Sequence, residues 1–182
     1  MKVLTLVGSL RKESFNRRLA ETMQERYQDK FEMEIADIGA LPHFDQDEEL
    51  DPPAVVKEFK QKVLDADAII IVTPEYNWSV PGVLKNALDW TSRGERVMVG
   101  KPVFPLGASM GMAGTLRAQI HLRQILVAPG VSAKVLPPGG NEVLVNFAQQ
   151  KFEGESGSLT DGSTLEFLDQ KVDAFIEFVK EG

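Results

Sequence analysis

The chain contains 182 residues, of which 20 are Lys or Arg, 27 are Asp or Glu and none is Cys. That length suits one domain with a sizeable core, so we expect residues 1–182 to form a single domain. Without Cys there is no disulfide, thiol nucleophile or Cys-ligated zinc or iron–sulfur site, and any electron transfer needs a bound cofactor. The net charge of −7 argues against a nucleic-acid-binding protein, because phosphate neutralisation needs clustered Lys and Arg.

Charge is distributed unevenly along the chain. Residues 1–30 carry seven basic and four acidic groups, whereas residues 31–67 carry three basic and eleven acidic groups. A basic N-terminal segment in an acidic protein indicates either a local anion site or an ordinary solvated helix face, and charge alone leaves both open.

No targeting or membrane-spanning segment is evident. The apolar run Val3–Val7 near the N-terminus is much shorter than the core of a signal peptide, and the charged residues Arg11 and Lys12 come soon after it. No apolar run approaches the roughly 18–20 residues of a membrane span. We therefore expect a cytoplasmic protein that contacts no membrane.

Short apolar runs along the chain predict five strands. Val3–Val7, Ala68–Thr73 and Val103–Leu106 are apolar at almost every position, which is typical of strands covered on both faces. Glu32–Ile38 alternates between polar and apolar residues and suits an edge strand, and Val131–Leu136 is a weaker candidate for the last strand.

Helical periods fill the gaps between these runs. Five strands that alternate with five helices predict an α/β fold, a doubly wound five-stranded parallel sheet with helices on both faces. Ligands of such sheets bind beyond the carboxyl ends of the strands, so the segments after the first, third and fourth strands are the informative ones. The predicted helices are marked by Leu19 to Tyr27, Val55 to Leu64, Pro81 to Thr91, Leu116 to Val127, and Leu165 to Val179 behind a capping box at Ser163–Glu166.

The segment Gly8–Arg17 joins the first strand to the first helix. Its small hydroxyl residues, Arg11 and the backbone N–H groups of a helix N-terminus together favour a phosphate ligand. A plain turn in which Ser14 or Asn16 caps the helix is the alternative. The segment has neither the P-loop nor the GxGxxG pattern, which argues against a nucleoside triphosphate or a conventional NAD site.

Two further segments carry unusual residues after a strand. Thr73–Gly82 combines Pro and Gly with Tyr76 and Trp78, which suits a planar aromatic ligand, although the aromatic side chains could equally serve packing. Gly107–Gly114 is rich in small residues that let a ligand approach the backbone closely, whereas a plain turn would explain only one or two of its glycines.

These segments resemble the NADPH-dependent FMN reductase family, above all its bacterial chromate/quinone reductase and azoreductase branch. The resemblance covers nearly the whole chain and implies a flavodoxin-like fold, non-covalently bound FMN, NADPH or NADH as the hydride donor, and a homodimer or homotetramer. The residues that carry it are Gly8–Arg11 with Ser14–Asn16, the motif within Pro74–Trp90, Gly100–Pro102, and Ser109–Gly111 with His121–Leu126.

The resemblance also implies roles at individual positions. It assigns no catalytic acid or base, because the flavin carries the chemistry. Trp78 stands where close relatives often have Tyr, and Ala113–Thr115 stands where a Gly pair is common, so both can alter the shape of the pocket. The positions implied to bind the cofactor are Ser9, Arg11, Ser14, Phe15 and Asn16 around the phosphate, Pro74, Glu75, Tyr76 and Asn77 along the isoalloxazine ring, and Ser109 and Gly111 on the other side of the flavin.

The function implied is an FMN-dependent enzyme that transfers hydride from NAD(P)H to small-molecule acceptors such as quinones, azo compounds, flavins or chromate. A flavodoxin-type electron carrier without NAD(P)H activity is the first alternative, although flavodoxins usually carry a Thr-rich phosphate loop and this loop bears Arg. A flavin-free regulatory protein on the same fold is the second, because fold alone does not define function.

The remaining candidates for chemistry have simpler interpretations. We expect His121 to serve packing or an interface, and His43 to lie at the surface. The acidic residues within Asp45–Asp51 lack the spacing and the Gly of a calcium-binding EF-hand, so we interpret them as a solvated loop and expect no metal site.

Overall fold

The computed structural model describes residues 1–154 and 157–181, which form a parallel sheet flanked by helices. None of the described helices is long and apolar enough to cross a membrane. The strands are β1 (Lys2–Val7), β2 (Glu32–Ala36), β3 (Ala68–Val72), β4 (Pro102–Ala108), β5 (Lys134–Val135) and β6 (Val143–Val145). The helices are α1 (Phe15–Arg26), α2 (Ala54–Asp65), α3 (Gly82–Thr91), α4 (Leu116–Val127) and α5 (Gly162–Lys180), with short 3-10 turns at Ile38–Ala40, Gln46–Glu48 and Ala148–Gln150.

The order of the strands across the sheet is β2-β1-β3-β4-β5, and every pair is parallel. The chain first moves outward from β1 to β2 and then crosses over β1 to β3, so the winding direction reverses between β1 and β3. This order is that of flavodoxin-like folds, in which the ligand lies at the reversal point. The predicted flavodoxin-like α/β fold is confirmed.

The fifth position of the sheet differs from the prediction of one strand at Val131–Leu136. It is filled by two short strands, of which β5 pairs with the beginning of β4 and β6 pairs with its end. Between them the chain leaves the sheet through Pro137 and Pro138, which have no N–H to donate to a ladder, and through Gly139 and Gly140, which have positive φ. The interruption brings the segment after β6 to the carboxyl edge of β4.

The core consists of two apolar layers, one on each face of the sheet. Side chains of β3 alternate between them, with Ile70 and Val72 facing α1 and α5, and Ile69 and Ile71 facing α2, α3 and α4. Because both faces of β3 are covered, every residue of that strand is buried, and this explains its uninterrupted apolar sequence.

The caps of α1 and α5 can be compared with those predicted from the sequence. Ser14 caps α1, and its hydroxyl accepts a hydrogen bond from the backbone N–H of Arg17, so helix capping is one function of Ser14. The capping box predicted at Ser163 is wrong, because α5 begins two residues earlier and its cap is Asp161. The Asp161 carboxylate accepts from Thr164 and Ser163, and these hydrogen bonds lower its pKa to about 2.

Candidate functional site

The three segments singled out in the sequence meet at the carboxyl edge of the sheet. The first loop starts at Gly8 after β1, the second at Thr73 after β3, and the third at Ser109 after β4. The sheet ladder continues one residue into each of them, since Gly8 donates to Val72, Thr73 to Leu106, and Ser109 to Val145, each at 2.9 Å. The starts of the loops are therefore held as firmly as the strands.

The glycines at this edge serve two different purposes. A Cβ at Gly107 would lie 2.1 Å from the carbonyl oxygen of Thr73, and a Cβ at Gly114 would lie 2.9 Å from Cβ of Leu144. These two glycines let protein segments pack against each other, so the expectation of ligand approach does not apply to them. A Cβ at Gly111 would meet only the Ser109 hydroxyl at 3.5 Å, which leaves its surroundings open to a ligand.

The first loop ends at the start of α1, where the backbone N–H groups of Phe15 and Asn16 can hold an anion; we call this place the anion cradle. Ser14 satisfies the backbone N–H groups of Arg17 and Arg18, whereas those of Phe15 and Asn16 donate to no acceptor in residues 1–154 and 157–181. Arg11 lies just before this helix start. Free N–H groups at the positive end of a helix, next to a guanidinium, are a binding site for phosphate.

The basic residues of the N-terminal segment fall into two groups, those paired with acidic side chains and those in the first loop. Three of its basic residues form ion pairs with acidic side chains, namely Arg17 with Glu21, Arg26 with Asp169 and Lys30 with Asp173. Within the described ranges, the loop residues Arg11 and Lys12 form no salt bridge. A solvated helix face thus accounts for part of the excess positive charge. The side chains of Arg11 and Lys12 remain as positive charges that can interact with a bound anion.

The Asn16 side chain joins the first loop to the third. Its amide nitrogen donates to the carbonyl of Ala108 at 2.9 Å, and its amide oxygen accepts from the N–H of the same residue at 2.8 Å. The side chain is buried, and its amide oxygen and one amide hydrogen are engaged with the end of β4. The backbone N–H of Asn16, which has no acceptor in the described ranges, is the group that we expect to face a phosphate.

The Phe15 side chain also points inward. Its ring lies 5.3 Å from that of Phe152, and the guanidinium of Arg18 lies 5.1 Å from the Phe15 ring and 4.9 Å from the Phe152 ring. Arg18 donates to the carbonyls of Glu153 and Gly154, and burial lowers its pKa. Phe15 can thus serve a phosphate only through its backbone N–H, and Arg18 is a structural residue.

The Glu75 carboxylate in the second loop caps α4. It accepts hydrogen bonds from the backbone N–H groups of Arg117 and Ala118 at 2.9 and 3.1 Å, and its side chain is only 12% exposed. A carboxylate at a helix N-terminus satisfies otherwise unpaired donors and interacts favourably with the helix dipole. Sequence reasoning missed this contact, because the partners are 42 residues apart.

The other residues predicted in the second loop surround a tight turn. Pro74 enters it, and the carbonyl of Pro74 accepts from the hydroxyl of Thr73 at 2.8 Å. Tyr76 is 49% exposed and begins the turn, and Asn77 follows with a φ of 50°. Their backbone and the Tyr76 ring are thus presented at the carboxyl edge of β3.

A fourth segment, residues 146–150, joins the site and was not predicted. Ala148 donates to the carbonyl of Ser109 at 3.0 Å, and the backbone of Phe147 adopts a φ of 47°. The Ser109 hydroxyl in turn accepts from the N–H of Gly111 at 2.9 Å. The signal in the sequence was the apolar run Val143–Val145, which resembles the other strands but is short.

Large apolar side chains remain exposed at this edge. A cavity of about 460 Å³ lies beside the first loop, and its lining includes Arg11, Phe15 and Met110. Apolar side chains gathered at one exposed edge, with a few polar groups between them, are typical of a ligand or partner site. The exposed members are Leu10, Tyr76, Trp78, Met110, Met112 and Phe147.

His121 and Trp90 make contacts within the protein, and His43 lies at the surface. His121 lies on α4, and its Nδ1 is 2.7 Å from the Ser79 hydroxyl, which attaches the second loop to that helix. His43 is exposed in the loop after β2, as predicted. Trp90 is buried in the core and donates to the carbonyl of Pro42 at 2.8 Å, so its side chain belongs to the core of this chain.

Comparison with known proteins agrees with this site. The family model described as NADPH-dependent FMN reductase matches residues 1–150. The chain is 41% identical to NADH-dependent flavin reductase subunit 2 of Lactobacillus johnsonii, covering 100% of this chain and 98% of that protein. It is 39% identical to a quinone reductase of Escherichia coli, covering 99% of this chain and 96% of that protein.

A solved structure extends the likeness to three dimensions. The flavoenzyme FerB from Paracoccus denitrificans, an NAD(P)H:acceptor oxidoreductase, superposes with a TM-score of 0.88 at 33% sequence identity. The match covers 99% of this chain and 97% of that one. The similarity therefore includes all the segments that form the carboxyl edge of the sheet.

Proposed function

The chain belongs to the NADPH-dependent FMN reductase family, and from that premise we propose that it reduces quinones with NAD(P)H, with azo compounds, free flavins and chromate as further acceptors. The family is one of oxidoreductases that use FMN and an NAD(P)H donor. The observation that carries the proposal is the anion cradle at the start of α1, which lies where the winding of the sheet reverses.

The phosphate of FMN fits the cradle of the first loop. We propose that the backbone N–H groups of Phe15 and Asn16 and the guanidinium of Arg11 donate to it, because these donors lack protein acceptors in the described ranges. The hydroxyls of Ser9 and Ser14 lie in the same loop, and each can add a hydrogen bond alongside its contact with a backbone N–H.

The isoalloxazine ring fits the neighbouring second and third loops. We propose that backbone atoms carry most of these contacts, since the side chain of Glu75 is engaged with α4. The open surroundings of Gly111 and the exposed ring of Tyr76 support this placement. The residues proposed to face the ring are Pro74, Glu75, Tyr76, Asn77, Ser109 and Gly111.

The division of chemistry between protein and cofactor follows from the side chains present. When bound, FMN supplies the hydride transfer that the side chains of this chain cannot perform. The overall reaction takes one hydride from NAD(P)H and one proton from water, and it converts a quinone into a hydroquinone. Because the chain has no Cys, no thiol relay can stand between donor and acceptor, and we propose that they use the same site in turn.

Assembly and location also remain proposals. We propose a homodimer or homotetramer, for which the support is the exposed apolar edge together with Leu116 and Ile120 on α4. The Lactobacillus johnsonii relative is named as a subunit, so a heteromeric assembly is an alternative. Light scattering of the purified chain would separate a homo-oligomer from a monomer that awaits another subunit. We place the protein in the cytoplasm.

Steady-state kinetics test the acceptor proposal. The FMN-loaded protein is assayed with NADH and with NADPH against 1,4-benzoquinone, an azo dye, chromate and free FMN. We expect kcat/KM to be highest for the quinone. A kcat/KM for the quinone below those of all the other acceptors would contradict the proposed substrate class, and inactivity with every acceptor would favour the electron-carrier alternative.

A further inference from the structure

The second loop contains a hairpin turn with an unusual residue at its tip. Tyr76 and Ser79 exchange both backbone hydrogen bonds, at 3.1 and 3.0 Å, so the turn between them has two residues. Asn77 and Trp78 have φ values of 50° and 65°, which is the pattern of a type I′ turn. Asn tolerates this conformation, whereas a bulky Trp does so only under strain, and Gly is preferred at its position.

The Trp78 side chain is fixed although it is exposed. The guanidinium carbon of Arg117 lies 4.2 Å from the centroid of the indole, within the range of a cation–π contact. Arg117 itself lies 3.7 Å from the Glu75 carboxylate, which also holds the start of α4. The hydroxyl of Ser79 contacts His121 from the other end of the turn. Trp78 and Ser79 therefore attach the turn to α4, and Glu75 attaches the residue before the turn to the same helix.

This arrangement leaves an aromatic surface directed away from the core. Trp78 is 71% exposed even though the guanidinium covers part of its ring. A residue that is strained, held by a charged partner and yet exposed contributes nothing evident to the core, so the strain points to a role in binding. A fixed indole next to a ligand-binding edge is suited to stacking against a planar aromatic molecule.

We propose that Trp78, positioned by Arg117, stacks against planar aromatic acceptors and determines the preference of the enzyme for them over non-planar acceptors. The inference rests on the proposed function and adds a residue to its acceptor site. The indole offers a large stacking area to acceptors with fused rings.

The test uses Trp78→Gly, because Asn-Gly is the preferred pair for this turn and the variant retains its backbone. Steady-state kinetics compare 1,4-naphthoquinone, which is planar, with ferricyanide, which is not. We expect the ratio of their kcat/KM values to fall about tenfold, mainly through the KM for naphthoquinone. Trp78→Tyr should restore most of the ratio, and Arg117→Lys, which retains the charge, should lower it less than Trp78→Gly does.

A binding measurement gives a readout that is independent of turnover. The chain has two Trp residues, of which Trp90 is buried, so the difference in fluorescence between wild type and Trp78→Gly isolates Trp78. Naphthoquinone should quench this difference signal saturably in the oxidised FMN-loaded protein. Quenching that rises without saturation, or an unchanged ratio of kcat/KM, would overturn the proposal.

Two outcomes separate stacking by Trp78 from a subunit contact and from a failure of the proposed function. If light scattering shows that Trp78→Gly changes the oligomeric state, Trp78 is a contact between subunits and the stacking proposal is wrong. If the wild-type protein binds no FMN, or NAD(P)H does not reduce it, the proposed function fails together with the stacking proposal. An FMN-loaded, NAD(P)H-reducible protein with an unchanged ratio in Trp78→Gly would refute the role of Trp78 alone.

Discussion

The first and second loops, which are neighbours at the carboxyl edge, are built in opposite ways. In the first loop, the side chains of Phe15, Asn16 and the nearby Arg18 point into the protein, and the backbone N–H groups remain for a ligand. In the second loop, the backbone groups of Tyr76 and Ser79 pair with each other, and the side chains of Tyr76 and Trp78 are exposed. We infer that cofactor affinity depends on preserving the backbone geometry of the first loop, whereas acceptor choice depends on the identity of the side chains in the second.

The largest effect that this contrast predicts is at Asn16. Replacement by Ala leaves both backbone groups of Ala108 buried without their partner, so we expect a loss of about 2–5 kcal/mol in the free energy of unfolding. FMN affinity should fall with it, because the first loop is no longer fixed to β4. Urea unfolding of the apoprotein and an FMN titration measure the two effects.

Asn16→Asp provides the matched control, since it retains an acceptor for the N–H of Ala108 and loses the donor. An Asn16→Ala protein of wild-type stability would show that the buried amide does not hold the two loops together.

Removal of Arg11 should come next in size. Arg11→Ala removes a charge-assisted hydrogen bond to the phosphate, and we expect FMN affinity to fall about tenfold while stability stays near that of wild type. Lys12→Ala removes the same charge from the adjacent position and should have a smaller effect. Fluorescence titration with FMN measures both, and equal affinities of Arg11→Ala and wild type would place the phosphate elsewhere.

Glu75 tests the contrast between the two loops in another way, because it belongs to the second loop but its side chain acts on α4. Glu75→Ala removes the cap of α4, and we expect a cost of about 1 kcal/mol, or about 2–4 °C in the thermal midpoint. Glu75→Gln retains an acceptor and should lose less. Since Glu75 also holds Arg117 near Trp78, the KM for naphthoquinone should rise in both variants.

Thermal midpoints measured side by side decide between the roles of Glu75. Full stability of Glu75→Ala, combined with weaker FMN binding, would indicate a ligand contact in place of a cap.

The smallest effect on ligand binding serves as a reference away from the site. Asp161→Ala removes the cap of α5, and near neutral pH we expect the thermal midpoint to fall by about 2–4 °C with FMN affinity unchanged. The pKa of Asp161 is lowered to about 2, so its stabilising effect is complete above the ordinary Asp pKa and is lost as the pH falls through about 2. The difference between variant and wild type should therefore shrink in acid, and a difference that grows in acid would contradict the assignment.

Local patterns were enough to predict most of the fold. β3 was predicted from its continuous apolar run, because a strand covered on both faces needs apolar side chains at every position. The second half of the fifth strand was missed, since three residues give too little pattern and the Pro and Gly residues before them resemble a loop. The α5 cap was misplaced because Ser163 and Asp161 are both good caps, and the actual choice depends on where the helix begins.

The sequence predicted where the candidate site lies but not the contacts between its residues. The sequence located the three loops, because each follows a strand of a parallel sheet. It could not reveal that Asn16 and Ala108, which are 92 residues apart, share two hydrogen bonds, or that Glu75 caps a helix beginning about 40 residues later. Such contacts depend on how the loops pack across the edge, and no local spacing encodes them.

Anaerobic reduction of the purified protein tests the central claim most directly. The protein should be yellow with bound FMN, its visible flavin absorbance should fall when NAD(P)H is added, and the absorbance should return when a quinone follows. A colourless protein that takes up no added FMN would contradict the claim, and a yellow protein that NAD(P)H cannot bleach would identify an electron carrier instead.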